Sequence, residues 1–341
     1  MPQGTVLGPI LFILYVNDLI LALRSSKGLS FADDTKLIQA IIGVLSKFLL
    51  QEDLEAVIRW TQLNNMELHE DKFEVLNYCL NSSLLLRNLP LVAELRQYDI
   101  SDGRSIYPVD VVRDLGVILS SDCSWSPQVN NTVKEARKMA SWVLSVFRDR
   151  SPFLMLTLFK SMVRSKLEYC CPVWNPSKVW DIQAIENIQR QFTRKISSCK
   201  DIGYWERLKK LDLLSLQRRR ERYMIIHVWK MLNDKAPNNI GMTFYQHERH
   251  GFRANVPSYN YKAQKSVASA YDDSFGIKAA RLWNILPRIV NEQKTLDSLK
   301  ISLSCFLEKF PDTPPVPGYS PCNRNSLLDW CSEGILSGRR T

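Results

Sequence analysis

From Ser126 onward, apolar residues recur three or four positions apart, the spacing of amphipathic helices. The pattern predicts helices over Thr132 to Phe147, Phe153 to Tyr169, Asp181 to Ile196 and Leu213 to Leu232, with basic residues on the opposite faces and Pro172, Pro176 and Pro237 as punctuation. The first hundred residues read differently. Pro9 to Leu23 has helical length and apolar residues on most faces, which predicts a largely buried helix, broken after it by Ser25, Ser26 and Gly28. Leu29-Ser30-Phe31-Ala32 and Thr35-Lys36-Leu37-Ile38 predict two short strands that meet at an acidic turn, Asp33-Asp34. Glu52 to Leu63 predicts another amphipathic helix; Val75 to Tyr78 and Val109 to Leu119 predict strands, the second carrying Gly116. The fold class is therefore α+β, mixed at the start and helical afterwards.

Composition narrows the class. With 45% hydrophobic and 23% charged residues in 341, the chain is globular, and disordered and collagen-like classes are excluded. Its length allows two domains. The eight cysteines form no C-x-x-C pair, which excludes a zinc ribbon and a disulfide scaffold. Val6 to Leu23 holds Gly8, Pro9, Asn17 and Asp18 and follows no basic segment, so it reads as a core helix and not as a membrane span, and an intracellular site, nucleus or cytoplasm, is expected. The net charge of +10 points to an anionic partner, nucleic acid first and an anionic membrane surface second. That charge is concentrated. Residues 1–100 carry 8 basic and 12 acidic side chains, residues 134–230 carry 21 and 9.

Asp33-Asp34 is the sharpest chemical feature. Adjacent carboxylates at an apolar strand end need solvent or a cation, and hard oxygen donors of this kind suit magnesium. A second acidic pair, Asp272-Asp273, follows Ala270-Tyr271 late in the chain and reads as surface loop, a decoy beside Asp33-Asp34. A zinc site at His247 and His250 is dismissed, since no cysteine lies between Cys199 and Cys305.

Order and spacing add more. The chain opens Pro2-Gln3-Gly4-Thr5-Val6-Leu7-Gly8-Pro9, continues through Tyr15-Val16-Asn17-Asp18-Leu19, and reaches Phe31-Ala32-Asp33-Asp34. This resembles the reverse transcriptase of LINE-type non-LTR retrotransposons, particularly the jockey-like elements. The resemblance continues through Trp60, Lys72, Arg113-Asp114-Leu115-Gly116-Val117, Leu167-Glu168-Tyr169, Val173-Trp174-Asn175-Pro176 and Ala279-Ala280-Arg281-Leu282-Trp283-Asn284.

The resemblance implies roles residue by residue. Asp33 matches the metal ligand of the catalytic hairpin and Asp34 its acidic neighbour, with magnesium as cofactor. Gln3 and Gly4 match the loop against the incoming nucleotide and template, Lys72 a lysine near the triphosphate, and Leu115-Gly116 the primer-grip turn. It implies an RNA template, a DNA primer, their hybrid and dNTP as partners, with no membrane. The family's third metal-binding carboxylate and its fingers come from an earlier segment, and an endonuclease domain normally precedes the polymerase. The expectation is thus an N-terminally truncated fragment, inactive alone, with a partial palm over residues 1–125, a basic helical thumb over 126–235, a helical region over 236–310 and a Pro-rich, loosely ordered tail over 311–341. Arg190, Arg194, Lys195, Lys209, Lys210, Arg218, Arg219, Arg220 and Arg222, interleaved with aromatic residues, are expected to contact a nucleic-acid backbone. The alternative is a non-catalytic nucleic-acid-binding remnant.

Overall fold

The computed structural model describes residues 4–78, 97–101, 104–255, 271–318 and 325–332; Gln3 lies outside them. Helices and strands are mixed, as an α+β chain requires. The chain divides into two compact units, Met1–Val112 and Arg113–Thr341.

In the first unit, α1 (Gly8–Val16) carries Pro9 in its first turn, where the missing N–H is no loss. A single 3-10 turn, Leu19–Ala22, follows. Strands β1 (Lys27–Phe31) and β2 (Asp34–Ile38) form an antiparallel hairpin, with Phe31 opposite Asp34 and Lys27 opposite Ile38. Helix α2 runs from Val44 to Leu63, longer than the apolar spacing indicated. A second small hairpin pairs β3 (Tyr98–Ser101) with β4 (Arg104–Ile106). The segment 75–78 is not a strand; only Val75 bridges, to Pro108. Leu19, Val57 and Trp60 form the core, with Val16, Leu23 and Leu37 against them. The expected burial of Pro9 to Leu23 is met only at Leu19, and no residue of α1 is buried. Its apolar residues lie on every face while the unit's own core takes up little of that surface, so Ile10, Leu11, Ile13 and Leu14 remain exposed.

The second unit begins with a hairpin of β5 (Val111–Asp114), which spans the division, and β6 (Val117–Ser120), where a single strand over Val109 to Leu119 was expected. Leu115 and Gly116 both adopt left-handed backbone, φ 45° and 81°, which turns the strand back on itself in two residues. Strand β6 packs on helix α3 (Ser126–Val146). A helical run follows from α4 (Pro152–Leu158) through a π-helical turn at Phe159–Val163 into α5 (Arg164–Glu168), then α6 (Val179–Thr193), α7 (Tyr204–Lys210) and α8 (Leu216–Leu232). Two apolar clusters fill the unit, one around Phe159, Trp174 and Phe192, the other around Trp229 and Trp283. Helix α8 joins them, with Leu216 in the first and Met224 to Met231 in the second.

Residues 236–310 are not wholly helical. The antiparallel hairpin β7 (Thr243–His247) and β8 (Gly251–Asn255) precedes α9 (Phe275–Asn284), α10 (Arg288–Asn291) and α11 (Leu296–Leu307). Nor is the described part of the tail loose. The prolines lack N–H groups, but their carbonyls accept: Arg218 donates to Pro311 O at 3.1 Å and to Asn325 O at 3.2 Å, and Trp205 Nε1 to Pro314 O at 3.1 Å. Asp312 accepts from Ser215 N at 2.6 Å and from Asn325 at 2.8 Å. Pro314 and Pro315 are buried, and α12 (Leu327–Ser332) sets Leu327 into the second cluster.

Candidate active site and nucleic-acid interface

Asp33 and Asp34 stand at the tip of the β1–β2 hairpin. Ala32 takes left-handed backbone, φ 53°, at the first position of a two-residue turn, a conformation usually given to glycine. Behind the tip, the hydroxyls of Ser30 and Thr35 share a cross-strand hydrogen bond at 3.0 Å. Both carboxylates are exposed, so solvent stabilises the like charges that burial would not tolerate. The sequence-predicted acidic turn is therefore present with its two strands.

The hairpin is anchored from α2. The buried Asp53 accepts from three successive backbone N–H groups, Arg24 at 2.8 Å, Ser25 at 3.0 Å and Ser26 at 2.5 Å, immediately before β1. Burial pushes the Asp53 carboxyl up, but these N–H donors outweigh it and hold it below the usual carboxylate range. Asp53 was not singled out from the sequence; an acidic residue at an inward helical position next to Leu54 was the available signal.

The other nucleotide-binding candidates lie at the surface. Gly4 is exposed, with positive φ (86°) and open space where a Cβ would point. Lys72 ends a short 3-10 turn, Glu70–Lys72, and is exposed. Adjacent carboxylates at an exposed tip are donors of the kind magnesium takes, one or two per ion beside water and phosphate oxygens. Among the described residues, no group of three or more His, Cys, Asp or Glu side chains is placed to hold a metal ion.

At Leu115-Gly116, Tyr169 supplies a brace that the sequence reading did not assign. Its hydroxyl donates to Leu115 O at 2.9 Å, and its ring lies 3.3 Å from where a Cβ on Gly116 would be. The turn thus needs glycine for both its backbone angle and its neighbour.

The nine predicted backbone-binding cations separate into two sets. Arg218 and Arg220, 1% and 3% exposed, are internal. Arg220 donates to Leu167 O at 2.9 Å and stacks 4.4 Å over the Trp174 ring. Arg219 forms a bidentate pair with Glu168, and Arg222 reaches Lys300 O at 3.4 Å. The run Arg218-Arg219-Arg220 is therefore structural, because its guanidiniums find carbonyls, a carboxylate and a ring inside the unit. Arg194, Lys195, Lys209 and Lys210 are exposed, and Arg190 is half-buried. Arg194 and Lys195 line a concavity of about 750 Å³ together with Arg150 and Lys200, and Lys210 reaches Ser198 O, on the same rim, at 2.8 Å.

Two buried carboxyls complete the electrostatics of this unit. Burial pushes Glu186 up to about 7 against hydrogen bonds from Tyr204 and Leu216 N, and Glu221 up to about 7 against Arg218, Ser326 and Leu327 N. Asp272 and Asp273 pair with Arg281 at 2.7 Å and Lys278 at 3.1 Å, an anchoring role for α9 in keeping with their reading as a decoy.

Residues 1–119, which contain the hairpin with its exposed aspartates, match the family model for reverse transcriptase (RNA-dependent DNA polymerase). These residues are similar to reverse transcriptases. A curated relative, the probable RNA-directed DNA polymerase from transposon X-element of Drosophila melanogaster, is 25% identical over 214 residues. That alignment covers 58% of this chain, which spans about a fifth (22%) of the relative's length. No solved structure matches. Together the family match and the relative support a reverse transcriptase of the non-LTR retrotransposon kind. Among the described residues no helix is long and apolar enough to cross a membrane.

Proposed function

We propose that this chain is the reverse transcriptase segment of a jockey-like non-LTR retrotransposon polymerase, whose parent activity is magnesium-dependent DNA synthesis from an RNA template and a DNA primer. The observation that carries this reading is the pair Asp33 and Asp34, exposed at the tip of a hairpin within the matched residues. These two would hold magnesium, which supplies activation of the primer hydroxyl and charge stabilisation of the departing pyrophosphate. The chain's own residues do the positioning. Asp53 fixes the start of the hairpin that carries the aspartates, Gln3, Gly4 and Lys72 would contact the nucleotide, and Tyr169 braces the Leu115-Gly116 turn, which would meet the primer end. Residues 1–125 act as a partial palm and residues 126–235 as a basic helical thumb; the setting is the nucleus or cytoplasm.

These 341 residues do not polymerise alone. Two adjacent carboxylates furnish part of a two-metal site, and among the described residues no third carboxylate gathers with them. Positioning and metal ions provide nearly all catalysis in this chemistry, so activity falls by orders of magnitude. Primer extension on an RNA template with magnesium tests this, with Asp33→Ala and Asp34→Ala as the control. The expected result is no incorporation; aspartate-dependent cDNA synthesis refutes the inactivity.

A second reading, non-catalytic nucleic-acid binding, is favoured by one observation, the basic concavity at Arg194, Lys195 and Lys200. Filter binding across a salt series checks it. Several phosphate contacts give a steep fall of log K with log salt, and a flat line removes the reading.

A further inference from the structure

The described tail, 311–318 and 325–332, is held to the first two turns of α8 by polar bonds. Arg218 donates to Pro311 O and Asn325 O, Asp312 accepts from Ser215 N, and Asn325 Nδ2 reaches Ser215 Oγ at 3.4 Å. Glu221, 4% exposed, closes the row: its carboxylate accepts from Ser326 Oγ at 2.5 Å and from Leu327 N at 3.2 Å. Ser326 immediately precedes α12 and Leu327 opens it. The helix that carries Leu327 into the second cluster therefore starts on a buried carboxylate.

That carboxylate is poorly compensated. Its cation, Arg218, stands 4.0 Å away on the same helix, too far for a hydrogen bond. Arg218 Nε and Nη1 are themselves buried without a hydrogen-bond partner among the described residues, and so is the indole Nε1 of Trp330 in α12. A second carboxylate, Asp312 of the tail, faces Glu221 and opposes its charge. Burial acts most strongly and, with Asp312, pushes Glu221 up to about 7 against Arg218, Ser326 and Leu327 N. Glu186, the other carboxyl raised by burial, faces Tyr204 on α7, Arg220 on α8 and Asp312. Its described hydrogen bonds come from Tyr204, Gln189 and Leu216 N, all outside the tail.

Docked and lifted tails hold Glu221 differently. Docked, an ionised Glu221 sits out of water beside Asp312 and a cation that it does not touch. Lifted, it meets water, as do Arg218 Nε and Nη1 and Trp330 Nε1. Protonation removes the cost of the buried charge and keeps acceptor oxygens for Ser326 and Leu327 N. We propose that residues 325–332 form a pH-released strap, clamped on α8 while Glu221 is protonated and lifted from it when Glu221 ionises, which opens the Arg218 side chain to water. By linkage, a carboxyl that binds its proton more tightly docked than lifted favours docking fully below the lifted value of about 4.3. That contribution is lost as pH rises toward and through about 7. The apolar anchor Leu327 and the carbonyl of Asn325 are present at every pH, so pH changes how often the strap opens and does not abolish it.

Amide hydrogen exchange of the full chain tests this, read by mass spectrometry from about pH 5 to about pH 8.5 and corrected at each pH for the intrinsic exchange rate. Protection of peptides covering 325–332 is expected to fall as pH rises, by up to about tenfold per pH unit, and to level off above about 7. It should lie below the protection of α3 throughout, since the strap opens without unfolding the rest of the unit. Glu221→Gln keeps an acceptor oxygen and cannot ionise, so strap protection should become independent of pH. Glu186→Gln removes a carboxyl whose described hydrogen bonds lie outside the tail and should leave the strap's pH dependence in place. The proposal is overturned by protection in 325–332 that is constant with pH, that equals α3 at every pH, that falls in Glu221→Gln as in the unaltered chain, or that loses its pH dependence in Glu186→Gln. Should Glu221→Gln fail to fold, the comparison of strap with α3 and the Glu186→Gln variant decide it.

Discussion

In residues 4–112 large apolar side chains face outward, with Leu14 at 68% and Leu21 at 80% exposure, whereas in the second unit Trp174, Trp229 and Trp283 are fully enclosed. Among the described residues, the unit that carries the candidate chemistry has one apolar cluster, built on Leu19, Val57 and Trp60, and the helical unit has two larger ones joined through one helix. Charge is distributed the other way round. Asp33 and Asp34 of the first unit are exposed, while the arginines of α8 are largely inside. Stability and chemistry are thus assigned to different stretches of the chain, and substitutions in the two should fail differently.

The largest effect is expected inside the helical unit. Arg218→Ala removes the donor to Pro311 and Asn325 and leaves Glu221 buried beside Ser326 and Leu327 without its cation. Losing one member of a buried ion pair costs about 3–5 kcal/mol, measurable by urea unfolding. If Arg218→Ala proves neutral, the arginine is not structural and the contrast with the surface cations collapses. Asp53→Ala ranks second. It strands the N–H groups of Arg24, Ser25 and Ser26, for a cost of about 1–3 kcal/mol, and it should loosen the aspartate hairpin, seen as faster amide exchange in β1 and β2.

A pH series sharpens the comparison further. Glu186 and Glu221, raised to about 7 in the fold, bind protons more tightly there than in the unfolded chain. Their contribution is fully present below the unfolded value of about 4.3 and is lost as pH rises toward and through about 7, with a slope of at most about 1.4 kcal/mol per pH unit for each group. Asp53, held low, acts oppositely: its contribution is present above the unfolded carboxylate value and fades as pH falls through its lowered one. Unfolding of the second unit should therefore become easier between pH 4.5 and 7, and Glu186→Gln with Glu221→Gln should flatten that slope. The smallest stability effect belongs to Asp33→Ala and Asp34→Ala, within about 0.5 kcal/mol because both are exposed. A larger change would show that the turn, and not the metal chemistry, requires them.

The sequence made some of this legible. The β1–β2 hairpin could be read because two short apolar runs flank an acidic pair, and the helices after Ser126 because their periodicity is long. Strand 109–119 was read as continuous because Leu115, a poor candidate for left-handed backbone, hides the turn that Gly116 completes. The β7–β8 hairpin was missed although Phe244 and Phe252 both turn inward, because the only turn glycine, Gly251, follows a charged His-Glu-Arg-His stretch. Burial of Arg218 and Arg220 could not be read at all. A helical arginine that meets carbonyls and one that meets solvent have the same spacing, and the partners here, Leu167, Pro311 and Asn325, are distant in sequence.

The buried arginines of α8 have a consequence for how such chains drift. Each replacement of Arg218 or Arg220 would be filtered by folding before any question of ligand arises, so both would persist whether or not the chain binds anything. Arg194, Lys195 and Lys200 have no such safeguard. Their replacement would pass that filter, because all three are exposed.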